Sequence, residues 1–228
     1  MTSENRSPDC AHGKIQGMSK GTWLYRAGEP ATEAFVILSG AVVLRKFNIG
    51  GDHLAVDLVT KGGSLGYRAY VGNRVQSLSA QCTVDCVVRR IPFDELDAAI
   101  ASDRTLEKAF LQQMASDLGA AQERMMHVTT LKVRDRLLIL LGRLARDFTT
   151  LNDQQTLVVA PPISRIDMAA LAGMTPESLS RCIRSIETEG LAHFSRRHVV
   201  IPSIADFRAE LSKIGAADEI PTFQRLAG

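Results

Sequence analysis

Three polar residues in the segment TPESLSR, residues 175–181, have the types and the spacing of side chains that read base edges. Glu177, Ser180 and Arg181 stand at positions i, i+3 and i+4, so they share one face if the segment is a helix. A guanidinium is a fork of donors that matches the O6 and N7 acceptors of guanine, and a carboxylate accepts from the amino group of cytosine. The alternative is a solvated helix face on which Glu177 and Arg181 form a local ion pair. The elements around the segment decide between these two interpretations.

Those elements predict a winged helix-turn-helix. Ser164 and Asp167 form a capping-box pattern that begins a short helix, and a glycine turn follows it. Thr175 as N-cap and Pro176 at the first helical position begin the second helix. Its predicted buried face consists of Leu179, Ile183 and Ile186. The next segment, LAHFSRRHVVIP at 191–202, indicates two short strands around a basic turn, which completes the unit.

Basic and hydroxyl side chains around the second helix are candidates for contacts with DNA phosphates. They are Arg165, Thr175, Arg184, Arg196, Arg197 and His198. Acidic residues lie among them, at Asp167, Glu187 and Glu189, and the net charge of the whole chain is only +2. This modest basic surface indicates that base reading would have to add to phosphate attraction.

A long helix is predicted before this unit. Between about residues 93 and 148 there is no proline, and glycine occurs only at 119 and 142. Apolar residues alternate three and four positions apart within this stretch, which is the narrow seam of a coiled-coil dimer. The seam residues are Leu111, Met114, Leu118, Ala121, Met125 and Val128. The alternative is a helix packed on its own β domain, for which a wider apolar stripe is typical.

The N-terminal part predicts β-structure. Residues 18 to about 93 contain runs rich in β-branched and aromatic residues that are separated by glycines, and NIGGD at 48–52 is typical of a hairpin turn. We therefore expect an α+β protein with three parts. They are an antiparallel β-roll at 1–103, a dimerisation helix at 104–131 with a hinge at Thr129 and Thr130, and a winged helix-turn-helix at 132–228.

The composition is that of an ordinary globular protein, with 45% hydrophobic and 23% charged residues among 228. The longest apolar run, LLILLG at 137–142, is too short for a membrane helix. The polar N-terminus lacks the apolar core of a signal peptide. The four cysteines without an export signal favour a reducing compartment, so we expect a cytoplasmic protein with free thiols.

This order of parts resembles the Crp/Fnr family of bacterial transcription regulators. The resemblance runs from Met18 to about Phe207, and MAALAGMTPESLSRCIRSIETEGL is its most specific segment; LYRAGEPATEAFVILSGAVVL and SAQCTVDCVVRRIPFDEL are characteristic of the roll. It implies a homodimer that binds double-stranded DNA, contacts RNA polymerase and is not an enzyme. In the Fnr branch, Glu177, Ser180 and Arg181 would match the residues that read a TTGA half-site, so the resemblance implies a palindrome such as TTGAT-N4-ATCAA.

The signal-binding residues depart from those of the cyclic-nucleotide members. Those members have an acid in a GE-L turn and an Arg-Ser pair, whereas this chain has Ser64 in GGSLG and Gln76 in VQSLSA. A cyclic phosphate would meet no fixed positive charge unless Arg68 or Arg74 turned inward, so cAMP is not expected. Another small molecule could bind between the roll and the long helix. The candidate lining residues are Ser64, Tyr67, Arg68, Ser77, Gln81 and Gln122.

The oxygen-sensing members are also a poor match. They hold an iron–sulfur cluster with four cysteines, but this chain has only Cys10 near its N-terminus and Arg89 at the later position. Cys82 and Cys86 are predicted on one strand, about 13 Å apart, as small apolar residues of the core. A haem site is a weaker alternative; its candidate ligands are His12, His53 and His127. No metal or cofactor is expected.

Two further alternatives concern reactive side chains. Cys182 follows Arg181, and an oxidised sulfur there would place charge beside the phosphates; a neighbouring arginine would lower the pKa of its thiol. This hypothesis gives a thiol-redox-controlled regulator of the same fold. GGSLG also satisfies the G-x-S-x-G pattern of serine hydrolases with Ser64 as nucleophile, but the next segment is predicted as a polar loop, where that elbow requires a helix.

Overall fold

The computed structural model describes residues 13–47, 53–151 and 156–220. They form two compact units that divide between Arg124 and Met125. The first unit contains β1 (Lys14–Met18), β2 (Trp23–Tyr25), β3 (Glu33–Ser39), β4 (Ala41–Phe47), β5 (His53–Thr60), β6 (Ser64–Leu65), α1 (Tyr67–Val71), β7 (Ser79–Cys82), β8 (Cys86–Pro92), α2 (Phe93–Ser102) and most of α3 (Arg104–Thr130). The second contains α4 (Val133–Phe148), β9 (Thr149–Leu151), β10 (Leu157–Val159), α5 (Arg165–Leu171), α6 (Pro176–Thr188), β11 (His193–Phe194), β12 (Val199–Ile201) and α7 (Ile204–Lys213), followed by a 3-10 turn.

The strands of the first unit form two antiparallel sheets, with the orders β1-β8-β3-β6 and β2-β7-β4-β5. Strand β4 is buried from Ala41 to Arg45, as expected for a strand in the middle of a roll. The core between the sheets consists of Phe35, Ile37, Val42, Leu44, Leu65, Ala80, Cys82, Cys86 and Val88. The predicted antiparallel β-roll and the α+β class are confirmed.

A second apolar cluster of this unit brings the helices onto the roll. Tyr67, Phe93, Leu96 and Phe110 are buried in it, and Met114 of α3 packs against it half-buried. Met114, which the heptad pattern assigns to the dimer seam, therefore contacts the roll of its own chain. The seam spacing alone could not show this. Phe110 lies one helical turn before Met114 on the same face of α3, and it is buried in the same cluster.

Two segments of the first unit differ from the prediction. The roll begins at Lys14 rather than near residue 18, and the stretch after GGSLG forms the short helix α1 rather than a loop. Gly66, just before α1, has a φ of +80°, and a Cβ there would lie 2.8 Å from the carbonyl oxygen of Glu33, so glycine is required at this turn. The predicted hairpin turn at 48–52 lies outside the described residues, although β4 and β5 pair on either side of it.

Cys82 and Cys86 are not on one strand, so the predicted separation of about 13 Å is wrong. Cys82 ends β7 and Cys86 begins β8, in different sheets. The turn between them brings the two thiols within hydrogen-bonding distance, and Cys86 also donates to the carbonyl of Ala41 at 3.3 Å. Burial, with the neighbouring Cys86 sulfur, raises the pKa of Cys82 to about 12. Both thiols are buried parts of the core, as expected.

The second unit is the predicted winged helix-turn-helix. The side chain of Ser164 accepts from the N–H of Asp167 at 3.0 Å, and the side chain of Thr175 accepts from the N–H of Ser178 at 3.2 Å, so both helix caps are confirmed. Gly173 makes the turn with a φ of +65°, and a Cβ there would lie 2.8 Å from Cγ2 of Val128. Strands β11 and β12 form the predicted wing.

One strand pair of this unit was not predicted. Strands β9 and β10 extend the wing into a sheet of order β11-β12-β10-β9. Helices α4, α5, α6 and α7 pack on a core that includes Leu137, Leu141, Leu179, Ile186 and Phe207, all at most 2% exposed. The break between α3 and α4 falls at Leu131 and Lys132, whereas Thr129 and Thr130, the predicted hinge residues, are the last two residues of α3.

No helix within the described parts of the chain is long and apolar enough to cross a membrane. The division into three domains at 103/104 and 131/132 stays a prediction.

Candidate functional site

Helix α6 exposes the three side chains that are predicted to read bases. Glu177, Ser180 and Arg181 are exposed along one face of the helix. The predicted buried face consists of Leu179, Ile183 and Ile186, and all three are buried. Because the buried residues fix the rotation of α6 about its axis, they also fix which polar residues point away from the unit.

The polar residues at the beginning of α6 are arranged as hydrogen-bond acceptors. Hydrogen bonds to its own backbone N–H and to Thr175, with the charge of Arg181 nearby, hold the pKa of Glu177 below its usual range. Glu177 is therefore an ionised acceptor at neutral pH. Ser180 donates its hydroxyl proton to the carbonyl of Pro176 at 3.0 Å, so its remaining lone pairs are free to accept.

The acidic residues near α6 are occupied by other contacts within the second unit. Asp167 accepts from the hydroxyl of Ser164 at 2.8 Å, and Glu187 accepts from the N–H of Phe194 at 2.9 Å. Glu189 is bound by Arg134 and by Ser185. Within the described residues, the cationic side chains of α6 form no ion pair; they are Arg181 and Arg184. Asp167, Glu187 and Glu189 therefore do not neutralise the cationic side chains of α6 by direct pairing.

Arg134 is a positioning residue that the sequence did not reveal. It lies at the start of α4, and its Nε donates to both carboxylate oxygens of Glu189, at 3.1 and 3.0 Å, just after the end of α6. Its Nη2 reaches Oε2 of Glu210 in α7 at 3.0 Å, and Lys213 also pairs with Glu210. These pairs lower the pKa of both glutamates and raise that of Arg134. These ion pairs join the C-terminal end of α6 to α4 and α7.

The wing presents two arginines at its tip. The N–H of Ser195 donates to the carbonyl of His198 at 2.8 Å, and the Ser195 hydroxyl accepts from the N–H of His198 at 3.0 Å, so the turn is well ordered by hydrogen bonds. Arg196 and Arg197, within this turn, are exposed, as expected for phosphate contacts. Arg165 donates to the carbonyl of Ser195 at 3.1 Å and stacks on Phe194, so it also holds the wing against α5.

Cys182 is buried rather than bordering the exposed face. Only 7% of the residue is exposed. Burial raises the pKa of its thiol, and this effect outweighs the opposing charges of Arg136, Arg181 and Arg134. The neighbouring arginines do act to lower this pKa, as expected, but burial reverses the net direction, so the thiol-redox hypothesis gains no support at this residue.

We expect the Cys182→Ser variant to bind DNA as the wild type does under reducing conditions, and brief peroxide treatment to leave both affinities within about twofold of their starting values. The physical reason is that the nucleophilic thiolate is scarce when the pKa is raised and the sulfur is covered. Fluorescence anisotropy on a labelled duplex before and after treatment measures this. A selective loss of affinity in the wild type alone would contradict it.

The dimer-seam residues of α3 are exposed, with one exception. Leu118 is 61% exposed and Met125 67%, which is unusual for large apolar side chains. Leu111, Ala121 and Val128 are exposed as well, whereas Met114 is half-buried against the roll. An unpaired apolar stripe of this kind fits a helix–helix partner. Dimerisation through it stays a prediction.

The first unit contains a cavity of about 50 Å³ lined by residues of the roll, of α1 and of α3. Four of the six predicted pocket residues line it: Ser64, Tyr67, Arg68 and Ser77. Gln81 instead accepts from Nε of Arg45 at 3.2 Å and donates to the carbonyl of Gly21 at 3.1 Å. Gln122 is exposed and does not line this cavity. The lining residues that were missed include Asp57, Gln76, Gln113 and Asp117.

The cationic side chain of this cavity is already paired. Nη2 of Arg68 lies 3.0 Å from Oδ2 of Asp117, and Nε2 of Gln113 donates to the other carboxylate oxygen at 2.8 Å. Asp57 lies 3.7 Å from Nη2 of Arg124. Burial and the nearby Asp57 raise the pKa of Asp117 to about 6, although Arg124 opposes this. The lining thus contains two carboxylates, and its arginine is paired with one of them.

We expect Asp117→Asn to stabilise the protein by about 1–3 kcal/mol near pH 8 and by much less near pH 4. In the folded chain Asp117 keeps its proton up to about pH 6, whereas in the unfolded chain it ionises around its ordinary value of 3.8. The stability that the protonated Asp117 side chain contributes is therefore lost as the pH rises from 3.8 to about 6. Thermal unfolding across the pH range measures the effect, with Glu123→Gln on the same helix as control. Parallel stability curves for wild type and Asp117→Asn would contradict it.

Three of the four cysteines, Cys82, Cys86 and Cys182, lie in the described residues, and all three are buried free thiols. Within residues 13–47, 53–151 and 156–220, no group of three or more metal-ligating side chains is placed to hold an ion. Cys10 and His12 lie outside the described residues, as does any site built on them. His127 lies in the last turn of α3. The haem alternative gains no support from these positions.

The surroundings of Ser64 differ from those of a hydrolase nucleophile in the position of the turn. A helix, α1, does follow GGSLG, contrary to the prediction of a loop. However, the left-handed turn residue is Gly66, whereas Ser64 lies in β6, so the serine is not raised on a strained elbow. No histidine is among the described residues that line the cavity beside Ser64. The nucleophile would lack its general base.

Comparisons with known proteins agree with this arrangement. A family model described as the cyclic nucleotide-binding domain matches residues 16–103, and one described as the Crp-like helix-turn-helix domain matches residues 135–210. Electron transport regulator A of Shewanella oneidensis is 23% identical over 189 residues, which cover 81% of this chain and 73% of that protein. The nitrogen fixation regulation protein FixK of Azorhizobium caulinodans is 28% identical over 160 residues, 70% of this chain and 63% of that protein.

Solved structures show the same fold. FixK2 from Bradyrhizobium japonicum superposes with a TM-score of 0.75 at 22% identity, covering 87% of this chain and 96% of that one. The two family models match the two halves of the fold in the expected order, and together they span most of the chain. With its β-roll, long helix and exposed recognition helix, this chain belongs to the Crp/Fnr family of DNA-binding transcription regulators.

Proposed function

We propose that two copies of this chain pair through the seam of α3 and bind a palindrome that resembles TTGAT-N4-ATCAA. The two α6 helices would enter successive major grooves on one side of the duplex, about one helical turn apart. Arg181 would bind O6 and N7 of the guanine, Glu177 would accept from the cytosine amino group, and Ser180 would contact a neighbouring base or its phosphate.

The observation that carries this proposal is the exposed guanidinium of Arg181, which forms no ion pair with the residues that the structure describes, beside the ionised carboxylate of Glu177. Both stand on a helix whose beginning is capped by Thr175 and whose end is held by Arg134. A rigid helix keeps a donor fork and an acceptor in a fixed relation, which a base pair can match. Around it, the phosphate contacts come from Arg184, Arg196 and Arg197, with Arg165 and Thr175 close to the backbone.

The proposed regulator works in the cytoplasm, recruits or blocks RNA polymerase, and catalyses no reaction. Its signal is a small molecule held in the cavity of the first unit, and this molecule is neither cAMP nor an iron–sulfur cluster. The pairing of Arg68 with Asp117 supports the exclusion of cAMP, and the sequence, in which Cys10 is the one cysteine near the N-terminus, supports the exclusion of the cluster.

A binding titration tests the proposal. Full-length protein is titrated into fluorescein-labelled TTGAT-N4-ATCAA and into a duplex in which the G·C pair of each half-site is changed to A·T. We expect the palindrome to bind at least tenfold more tightly, because a good bidentate contact contributes about 1–3 kcal/mol of discrimination. Equal affinity for the two duplexes would contradict the assignment of α6 as a base-reading helix.

A further inference from the structure

Gln76 is a buried amide that lines the cavity of the first unit and has no hydrogen-bond partner there. Only 6% of the residue is exposed. Its backbone N–H and C=O pair with Glu29 and Gly28, but no hydrogen bond joins its side-chain amide to any described residue. Because the residue lines the cavity, its side-chain amide is open to a bound group that both donates and accepts.

Gln113 supplies a second open atom on the opposite wall of the cavity, from α3. The residue is 8% exposed, and its Nε2 donates to Asp117 at 2.8 Å. Because an ionised carboxylate only accepts, the amide nitrogen of Gln113 must face it, and the carbonyl oxygen is turned elsewhere. Within the described residues no donor reaches that oxygen. The cavity thus offers an amide and a carbonyl acceptor.

The charges around the cavity favour an uncharged ligand. Asp117 is paired with Arg68 at 3.0 Å, and Asp57 lies 3.7 Å from Arg124. An anion would face two carboxylates without an unpaired cation to offset them, and a cation would compete with arginines already in place. The apolar part of the lining suits a flat ring: it consists of Tyr25, Leu44, Val59, Leu65, Tyr67 and Leu78.

The volume limits the size of the ligand. The cavity measures about 50 Å³, several times the roughly 10–15 Å³ that one water molecule requires. We propose that it binds an uncharged molecule with a single small ring bearing a carboxamide or lactam edge. That edge would pair with both ends of the Gln76 amide, and a further donor would reach the carbonyl of Gln113. This assignment rests on the proposed function, since it names the ligand class of the effector cavity.

Ligand-observed NMR and calorimetry on the full-length protein, without DNA, test the assignment. The probes are uracil and nicotinamide, which carry lactam and carboxamide edges, and cAMP as the anionic comparison. We expect at least one neutral probe to bind and cAMP to bind more weakly than that probe. Gln76→Leu should weaken the neutral probe about tenfold or more, because two hydrogen bonds are lost.

Two further variants keep the outcome interpretable. Gln76→Glu preserves the shape of the side chain but loses its donor and adds a third carboxylate, so it should weaken the neutral probe to a similar extent. Gln122→Leu, on the exposed side of α3, should leave binding unchanged. Thermal unfolding of each variant checks that the roll is intact, and Gln113→Leu replaces Gln76→Leu if the latter fails to fold.

Three results would overturn the assignment. They are tighter binding of cAMP than of both neutral probes, no binding of either neutral probe at millimolar concentration, and undiminished binding in a folded Gln76 variant. Titration of the same preparations with the labelled palindrome separates this from the proposed function. Probe binding without palindrome binding would leave the cavity assignment standing and contradict the DNA-reading proposal. Palindrome binding without probe binding would leave the DNA-reading proposal standing and contradict the cavity assignment.

Discussion

Replacing Arg181 with alanine is expected to reduce the affinity for the palindrome by about 1–3 kcal/mol per half-site and to remove the preference for the G·C pair in each half-site. The guanidinium is exposed and has no ion pair within the described residues, so the intramolecular interaction that is lost with it is the attraction between its charge and Glu177 across exposed surface, which is weak. The loss therefore reports the contact with the base. Anisotropy titrations on the palindrome and on its substituted duplex measure both effects.

Arg197→Ala is the matched control for this prediction. Arg197 lies at the tip of the wing, where it is exposed and placed to meet a phosphate. Its loss should weaken all sequences alike and reduce the slope of log affinity against log salt by about 1 for each contact removed. If Arg181→Ala also weakens both duplexes equally, then Arg181 contacts the backbone and the base-reading assignment is wrong.

Replacing Leu118 with aspartate should abolish dimerisation at micromolar concentration. The side chain is 61% exposed in the single chain, so the substitution leaves the folded protomer intact. In a dimer it would bury an uncompensated charge at the centre of the seam, at a cost of several kcal/mol. Analytical ultracentrifugation measures the change, and affinity for the palindrome should fall with it because the two half-sites are no longer read together.

Gln112→Asp serves as the control on the same helix. Gln112 is exposed and stands about 120° around α3 from Leu118. The same charge placed there should leave the dimer intact. A Leu118→Asp variant that sediments as a dimer would show that the exposed apolar stripe is not the interface.

The winged helix-turn-helix could be predicted almost residue by residue because its signals are local. Ser164 and Thr175 cap helices through hydrogen bonds to residues three positions later, and Gly173 satisfies a steric demand at the turn. Signals of this kind depend on residues only a few positions apart, so they can be recognised in a short segment of sequence. The periodicity of α6 then determined which side chains are buried and which are exposed.

The cavity could be predicted only in part, because its walls come from distant segments. Ser64, Arg68 and Ser77 lie in the region where the family resemblance pointed. Gln113 and Asp117 lie on α3 beside the seam and line the cavity, and no pattern within the helix marks them. Their importance follows from packing against the roll, which is set by long-range contacts.

The surroundings of the cysteines could also not be predicted from the local sequence. The run SAQCTVDCVV has the composition of one strand, yet a turn at residues 83–85 divides it between two sheets. The turn residues have no glycine or proline to mark them. For Cys182, the sequence shows the neighbouring arginine but not the burial, and burial dominates its pKa.

Selection of binding sites from random double-stranded DNA tests the central claim most directly. Full-length wild-type protein is used for several rounds, with Arg181→Ala in parallel. The wild type should recover an inverted repeat of the form TTGAT-N4-ATCAA, and the variant should lose the conserved guanine while keeping the spacing of the half-sites. Recovery of TGTGA-type half-sites, or of no palindrome at all, would contradict the assignment of Glu177, Ser180 and Arg181 as the residues that read DNA.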